Sequence, residues 1–456
     1  MMTGPSGGMA DRSRVAFFAA VIAVVVALAG LTYIWLSAQR PGEGRPGNAS
    51  VALTAVRTGL AFPIAIAFAG DGRVFYAERG TGNIQILGNA TTNTTTFYTL
   101  SGTDSSGERG LLGLALDPDF PTTPYVYAYQ TYDDTGNGTI YNRIVRIVAN
   151  GNAGVSHAVV LRMPPLSGAT NHNGGAIAFG PDRKLYAVVG ENANPSLSQD
   201  PMSPMGKVLR MNPDGSAPTD NPFYGNPNWN NLTYTYGHRN MFGLAFHPTN
   251  GRAYVTENGP QDSDEINLLT AGGNYGWPAV RGIAHSPPYI DPIIAYTPVI
   301  VPTNAAFCTA SVPAGSLHHL VFGSFSDRRL RELTLSSDGA SVVNESILAT
   351  AGEGILDVEM GLDGHLWVTT PSAIYRLVAQ PIPMPSMPAF AAPIGGYALA
   401  RIRVSTFGED RSFPCDCRRN AHHPGNLSRD RGVSAARCRR TESRATLASR
   451  MRSHGS

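Results

Sequence analysis

One phrase recurs along the chain: a short apolar strand, a turn built on Pro, Asp or Gly, then a second apolar or aromatic strand. It reads IAFAGDGRVFYAE from Ile66, LALDPDFPTTPYVYAY from Leu114, IAFGPDRKLYAVVG from Ile177, LAFHPTNGRAYVTE from Leu244 and VEMGLDGHLWVTT from Val358. The starts lie 48, 63, 67 and 114 residues apart. The last interval is about twice the others, so a divergent copy belongs inside it, and LHHLVFGSFSDRRLRELTL from Leu317 supplies one. Most of these hairpins are followed by a further short strand, as in IQIL at 84–87, RIVRIV at 143–148, KVLRM at 207–211, EINLL at 265–269 and AIYRL at 373–377. Six such units, each of roughly four strands and about 50 to 60 residues, predict an all-β, six-bladed β-propeller over 51–379. A solenoid of the same units would need polar capping repeats, and none is visible.

The flanks read differently. Residues 15–36 are uncharged and follow Arg12 and Arg14, which predicts a transmembrane helix. The stretch exceeds the apolar run of about 7 to 15 residues in a cleavable signal. Its small-residue exit, Leu36-Ser37-Ala38, is weak. An uncleaved anchor is therefore expected and a cleaved signal is the alternative. The anchor reading makes 1–14 a cytoplasmic N-terminus and 37–50 a stalk, with the propeller outside the cytoplasm on a single-pass cell-membrane protein. Beyond the propeller, 380–456 opens with five prolines between 381 and 393 and continues Arg-rich and poor in apolar residues. That composition predicts a disordered tail.

Composition narrows the reading further. With 15% charged residues, 50 Gly and 34 Pro, the chain is no coiled coil, and turns must be many. The formal charge of +2 hides 13 Arg in residues 401–456; residues 1–400 carry 22 basic against 28 acidic side chains and show no footprint for nucleic acid. Of four cysteines only Cys308 lies in the propeller, so no disulfide framework supports it. Cys415, Cys417, His422, His423 and Cys438 fit no standard zinc spacing. Sequons at Asn48, Asn89, Asn93, Asn137, Asn231 and Asn344 suit an exported protein.

Function in a propeller lies in its loops. Four segments stand out: GERGLLGLALDPDF at 107–120, NHNGGAIAFGPD at 171–182 with LYAVVGENANPS after it, GKVLRMNPDGSAPTDNPF at 206–223, and YGHRNMFGLAFHPTNGRAYVTENGPQDSDEINLLTAGGNYGWP at 236–278. Together these resemble the glucose/sorbosone dehydrogenase family, soluble quinoproteins that are six-bladed propellers using pyrroloquinoline quinone (PQQ) and calcium (Ca2+). The resemblance implies oxidation of an aldose sugar at C1 by hydride transfer to the quinone, with electrons passing to a quinone or cytochrome acceptor.

The resemblance also implies site residues. His172 in NHNGG stands where the family has its base, a role suited to an imidazole that is mostly neutral at working pH; a histidine satisfying loop backbone is the alternative. Arg239 and Asn240 match the pair that faces the quinone, Arg239 supplying positive charge where the oxygen becomes anionic, or else bridging two blades through carbonyls. Gly259 and Pro260 match the carbonyls that hold the cofactor calcium. Asp262, Asp264 and Glu265 with the carbonyl of Tyr275 resemble a second, structural calcium site.

Departures are equally visible. Glu108 stands for a glutamine in the cofactor pocket, Ser326 lies near a clamping lysine, with Arg328 and Arg329 a little beyond, and Gly354 and Leu356 replace two arginines. PQQ carries three carboxylates, and losing cations while gaining an anion weakens its hold. Relatives with the ERGLLG form include animal proteins related to hedgehog-interacting protein. A non-redox propeller binding a glycan or protein partner is therefore the alternative function.

Overall fold

The computed structural model describes residues 51–380 apart from 89–92, 311–314 and 316. These residues form six antiparallel four-stranded sheets. The chain begins with β1 (Val51–Thr58). Blade 1 is β2 (Pro63–Phe68), β3 (Val74–Glu78), β4 (Asn83–Ile86) and β5 (Thr95–Thr99). Blade 2 is β6 (Leu111–Leu116), β7 (Tyr125–Asp134), β8 (Thr139–Asn150) and β9 (Ala153–Pro165). Blade 3 is β10 (Ile177–Phe179), β11 (Leu185–Val189), β12 (Lys207–Met211) and β13 (Thr233–Tyr236). Blade 4 is β14 (Met241–Phe246), β15 (Ala253–Glu257), β16 (Asp264–Leu268) and β17 (Ile294–Tyr296). Blade 5 is β18 (Pro302–Phe307), β19 (Leu320–Ser324), β20 (Arg329–Leu335) and β21 (Val342–Thr350). Blade 6 is β22 (Asp357–Met360), β23 (Leu366–Thr370) and β24 (Ala373–Ala379), with β1 as its outer strand.

The ring closes through backbone hydrogen bonds, because β1 pairs antiparallel with β24 and sets Val51 opposite Ala379. No covalent link replaces this, since Cys308 is a buried free thiol. Among the described residues the one helical piece is the 3-10 turn Pro195–Ser198, and no helix is long and apolar enough to cross a membrane. The expected anchor at 15–36 and the stalk lie outside the described residues, as does the tail beyond residue 380. One expectation is corrected: the divergent unit begins with β18, ahead of the hairpin read from Leu317. Its sequence, PTNAAF, hides it because Asn304 faces the channel and donates to Asp357.

Every residue of β11, β12, β15, β16, β19 and β23 is buried. A middle strand in a blade is covered on both faces by its neighbours, so burial does not alternate along it, and its polar members such as Lys207, Asp264 and Glu265 are hydrogen-bonded. The core is accordingly cut into slices between successive blades. Phe75 and Val126 meet between blades 1 and 2, Tyr127 and Leu185 between 2 and 3, and Val188 and Val255 between 3 and 4. Tyr254 and Phe322 join blades 4 and 5, Val321 and Val368 join 5 and 6, and Trp367 and Tyr76 complete the circle. The innermost strands enclose a cavity of about 50 Å³ lined by Ile66, Leu114, Ile177 and Leu244 and by the polar trio Asn304, Asp357 and Glu359. In blades 1, 2, 4 and 5 the ladder slips register at the start of the innermost strand. Such bulges bend a strand and re-aim the residues beside them.

Candidate active site

In an antiparallel blade, the segment leading into the first strand and the turn after the second strand fall at the same end. Glu108, His172, Arg239 and Asn240 precede β6, β10 and β14, while Arg79, Glu191, Gly259 and Pro260 follow β3, β11 and β15. The topology therefore delivers all of them to one mouth of the channel.

His172 is the centre of the cluster. Its backbone has φ of 59°, a conformation that strains a residue bearing a side chain. It is held there by its own N–H donating to Glu108 Oε2 at 2.8 Å and by its carbonyl accepting from Asn192 N at 2.9 Å. Its Nδ1 lies 2.8 Å from Oε1 of Glu191, a carboxylate only 1% exposed whose other oxygen accepts from Asn194 N. A carboxylate can only accept here, so Nδ1 carries a proton, and in the neutral imidazole the lone pair lies on Nε2. Among the described residues nothing hydrogen-bonds Nε2.

Asn240 donates through Nδ2 to the same Glu108 oxygen at 3.1 Å, and its Oδ1, in a side chain 2% exposed, has no partner. Arg239 places Nη1 on the carbonyls of Asn258 and Gly259, at 2.8 and 2.9 Å, and sets its guanidinium over the Trp277 ring. Its backbone N–H donates to Glu257 and its carbonyl accepts from Glu191 N at 2.9 Å, which ties it to the His172 unit. Burial pushes the Arg239 guanidinium below its usual range, opposed by the carboxylates of Glu191, Glu257, Glu108 and Asp264. Starting from so high an ordinary value, it stays a cation.

The residues read as calcium ligands separate into two groups. Gly259, Pro260, Glu265 and Tyr275 line one small cavity of about 10 Å³, together with Arg239 and Trp277. Asp264 turns away from it: Oδ1 accepts from Gly259 N, and Oδ2 from the N–H groups of Ile300 and Val301. Asp262 is paired with Arg281 at 2.6 Å. Glu265 accepts from Gly282 N and Asn267 Nδ2, and burial, reinforced by Glu257, pushes its carboxyl up to about 8. Among the described residues no cluster of three or more His, Cys, Asp or Glu stands close enough to hold a metal by side chains alone.

Among the described residues, blades 5 and 6 present no clamp of cations at the mouth. Ser326 Oγ donates to the Ile300 carbonyl, exposed Arg328 reaches Gly352 O, and Arg329 faces Asp327. The Phe325 ring fills the space a side chain at 354 would need, and Leu356 is buried. Sequence reading passed over Glu191, Glu257 and His238. Their signal was available as a repeat, since His172 to Glu191 and His238 to Glu257 are both 19 residues apart.

The sequence profile of the glucose/sorbosone dehydrogenase family matches residues 60–378. Quinoprotein glucose dehydrogenase B of Acinetobacter calcoaceticus is 34% identical over 251 residues, spanning 48% of this chain and 51% of that protein. The aldose sugar dehydrogenase of Escherichia coli K12 is 30% identical over 279 residues, 58% of this chain and 75% of that one. The PQQ-bound structure of an aldose sugar dehydrogenase from Streptomyces coelicolor superposes with a TM-score of 0.62 at 30% identity, covering 72% of this chain and 98% of that chain.

Proposed function

Because the chain belongs to the glucose/sorbosone dehydrogenase family, we propose that it is a quinoprotein oxidoreductase that oxidises an aldose at C1 with PQQ and calcium. The observation that carries the reading is the His172 side chain, locked through Nδ1 to Glu191 and open at Nε2. An imidazole so arranged takes the proton of the anomeric hydroxyl at Nε2, while Glu191 stabilises the imidazolium that results. Arg239 provides a fixed cation held by carbonyls, and Glu108 sets the spacing of His172 and Asn240. PQQ, when bound, supplies the acceptor for the hydride of C1.

The site fits such a flat, oxygen-rich anion. Arg239 has no carboxylate within ion-pair distance among the described residues and offers the anion a cation, whereas the buried, unpartnered Asn240 Oδ1 is an acceptor and would need an N–H donor from the ligand. Calcium would be held by the carbonyls of Gly259 and Pro260 with Glu265, residues that line one cavity of about 10 Å³, the Gly259 oxygen then serving both the ion and Arg239 Nη1. A cation there would reverse the burial effect that raises Glu265. An anchor at 15–36 would put the propeller on the extracytoplasmic side, where a quinone or cytochrome takes the electrons.

The experiment is calorimetric titration of the protein with PQQ in calcium, then a dye-linked oxidation screen over aldoses; no PQQ binding removes the redox reading. One observation favours a second reading, a non-redox propeller binding a glycan or protein. Blades 5 and 6 offer Phe325, Ser326 and Leu356 where a tricarboxylate wants cations. Failure of PQQ to bind would leave that reading standing.

A further inference from the structure

The cation missing from blades 5 and 6 has a counterpart elsewhere. Arg79 follows β3 in blade 1, at the same end of the channel as His172. Its Nη1 donates to the carbonyls of Gly107 and Arg109, flanking Glu108. Its guanidinium lies over the Phe62 ring, 4.6 Å from the centroid. The backbone is fixed on both sides, with Arg79 N donating to Phe62 O and Arg79 O accepting from Leu111 N.

What remains free is informative. Nη2 has no partner among the described residues and, unlike the buried Nε, is not shut off from the surface, so it can give a carboxylate one charge-assisted bond. No carboxylate lies within ion-pair distance of Arg79 among the described residues. Neighbouring Arg109 is spent on Asp104 at 2.8 Å and on the carbonyls of Ser167 and Ala169, and in blade 5 Arg331 is spent on Asp327 and Glu345. Arg79 shares its pattern with Arg239. Each is held by two carbonyls, laid over an aromatic ring and pushed down by burial, with Glu108 among the carboxylates opposing the shift. Two cations of one design thus flank the Glu108–His172 pair.

We propose that Arg79, stacked on Phe62, is a carboxylate-binding cation of the cofactor site, replacing from blade 1 the charges that blades 5 and 6 do not supply. The inference rests on the PQQ reading above. It also gives Glu108 a place, since the anion sits between two cations and not beside one.

The test is equilibrium titration of the full-length protein with PQQ in calcium, read by quenching of intrinsic fluorescence. Arg79→Gln is expected to raise the PQQ Kd about tenfold or more. Arg79→Lys should raise it less, because the charge stays while the guanidinium's hold on the Gly107 and Arg109 carbonyls is lost. Arg328→Gln, at the exposed residue beside the empty clamp, should bind as the parent does. If the parent binds PQQ and a cooperatively melting Arg79→Gln binds it equally well, the assignment is overturned while the quinoprotein reading survives. If the parent binds none, both fall. Should Arg79→Gln fail to fold, phenylglyoxal labelling of the parent decides: PQQ is expected to slow modification of Arg79 and not of Arg328, and equal rates with and without PQQ overturn the proposal.

Discussion

His172 and His238 each stand ahead of an innermost strand, and each bonds through Nδ1, at 2.8 Å, to a glutamate 19 residues further on. In blade 4 the unit is closed. His238 is fully buried, its Nε2 is bonded to Thr235 Oγ1 at 2.9 Å, and its ring stacks on Tyr275. Glu257 is also filled, taking the N–H of Arg239 and Asn267 Nδ2. In blade 3 no group among the described residues hydrogen-bonds Nε2. The same pair is a brace where its second nitrogen is satisfied and, on the proposed function, a base where that nitrogen is left over, so the difference lies in what is bonded to the ring.

The sharpest way to break this comparison is to remove each ring. His172→Ala should lower aldose turnover by orders of magnitude while PQQ affinity and melting temperature stay near the parent's, because its role lies in the transition state; an unchanged oxidation rate takes His172 out of the mechanism. Glu191→Gln is expected to keep the fold and cut kcat about a hundredfold, chiefly through loss of the charge facing the imidazolium. Steady-state kinetics in which KM alone moved would make Glu191 a binding residue instead.

His238→Ala should act on stability, costing about 2 to 4 kcal/mol through the cavity and the stranded Glu257. Denaturant unfolding measures this, and a parent-like midpoint would mean that His238 is no brace. Thr235→Val is milder, expected to cost about 1 kcal/mol with turnover unchanged, since only the cap on His238 Nε2 is lost.

The smallest effect asks what burial does without a histidine. Asp357 in the channel is pushed up to about 6 by burial, partly offset by donors from Asn304, Ile66 and Val358, and neighbouring Glu359 is raised as well. A carboxyl whose folded value lies above its unfolded one binds protons more tightly when folded, so its contribution is present at low pH and lost as pH rises through about 6. Asp357→Asn should flatten that part of the stability profile, which unfolding measured at a series of pH values would show.

The repeated hairpins were legible along the chain because a pair of apolar or aromatic strands recurs around a turn built on Pro, Asp or Gly. Blade 5 was harder to place, since β18 carries Asn304 toward the channel and breaks that pattern. At the site, His172, Arg239, Asn240, Gly259 and Pro260 were readable through the family's loop motifs, and the fold brings them to one mouth. The set expected to hold calcium was less well defined by its run of acids. Asp262 and Asp264 were within reach in sequence, but an Arg281 guanidinium and three backbone amides take them up.

The sequence by itself determined the strand units, their number and the types of residue in the loops, because burial of a residue and the turn it can make are local properties. The tertiary structure alone decided the rest. It closed the ring by setting Val51 beside Ala379, covered one histidine with a threonine and left the other open, and brought Arg79 of blade 1 to the same end of the channel as Arg239 of blade 4. These outcomes depend on which distant residue arrives at a given atom, and a local pattern of apolar and polar positions holds no record of that.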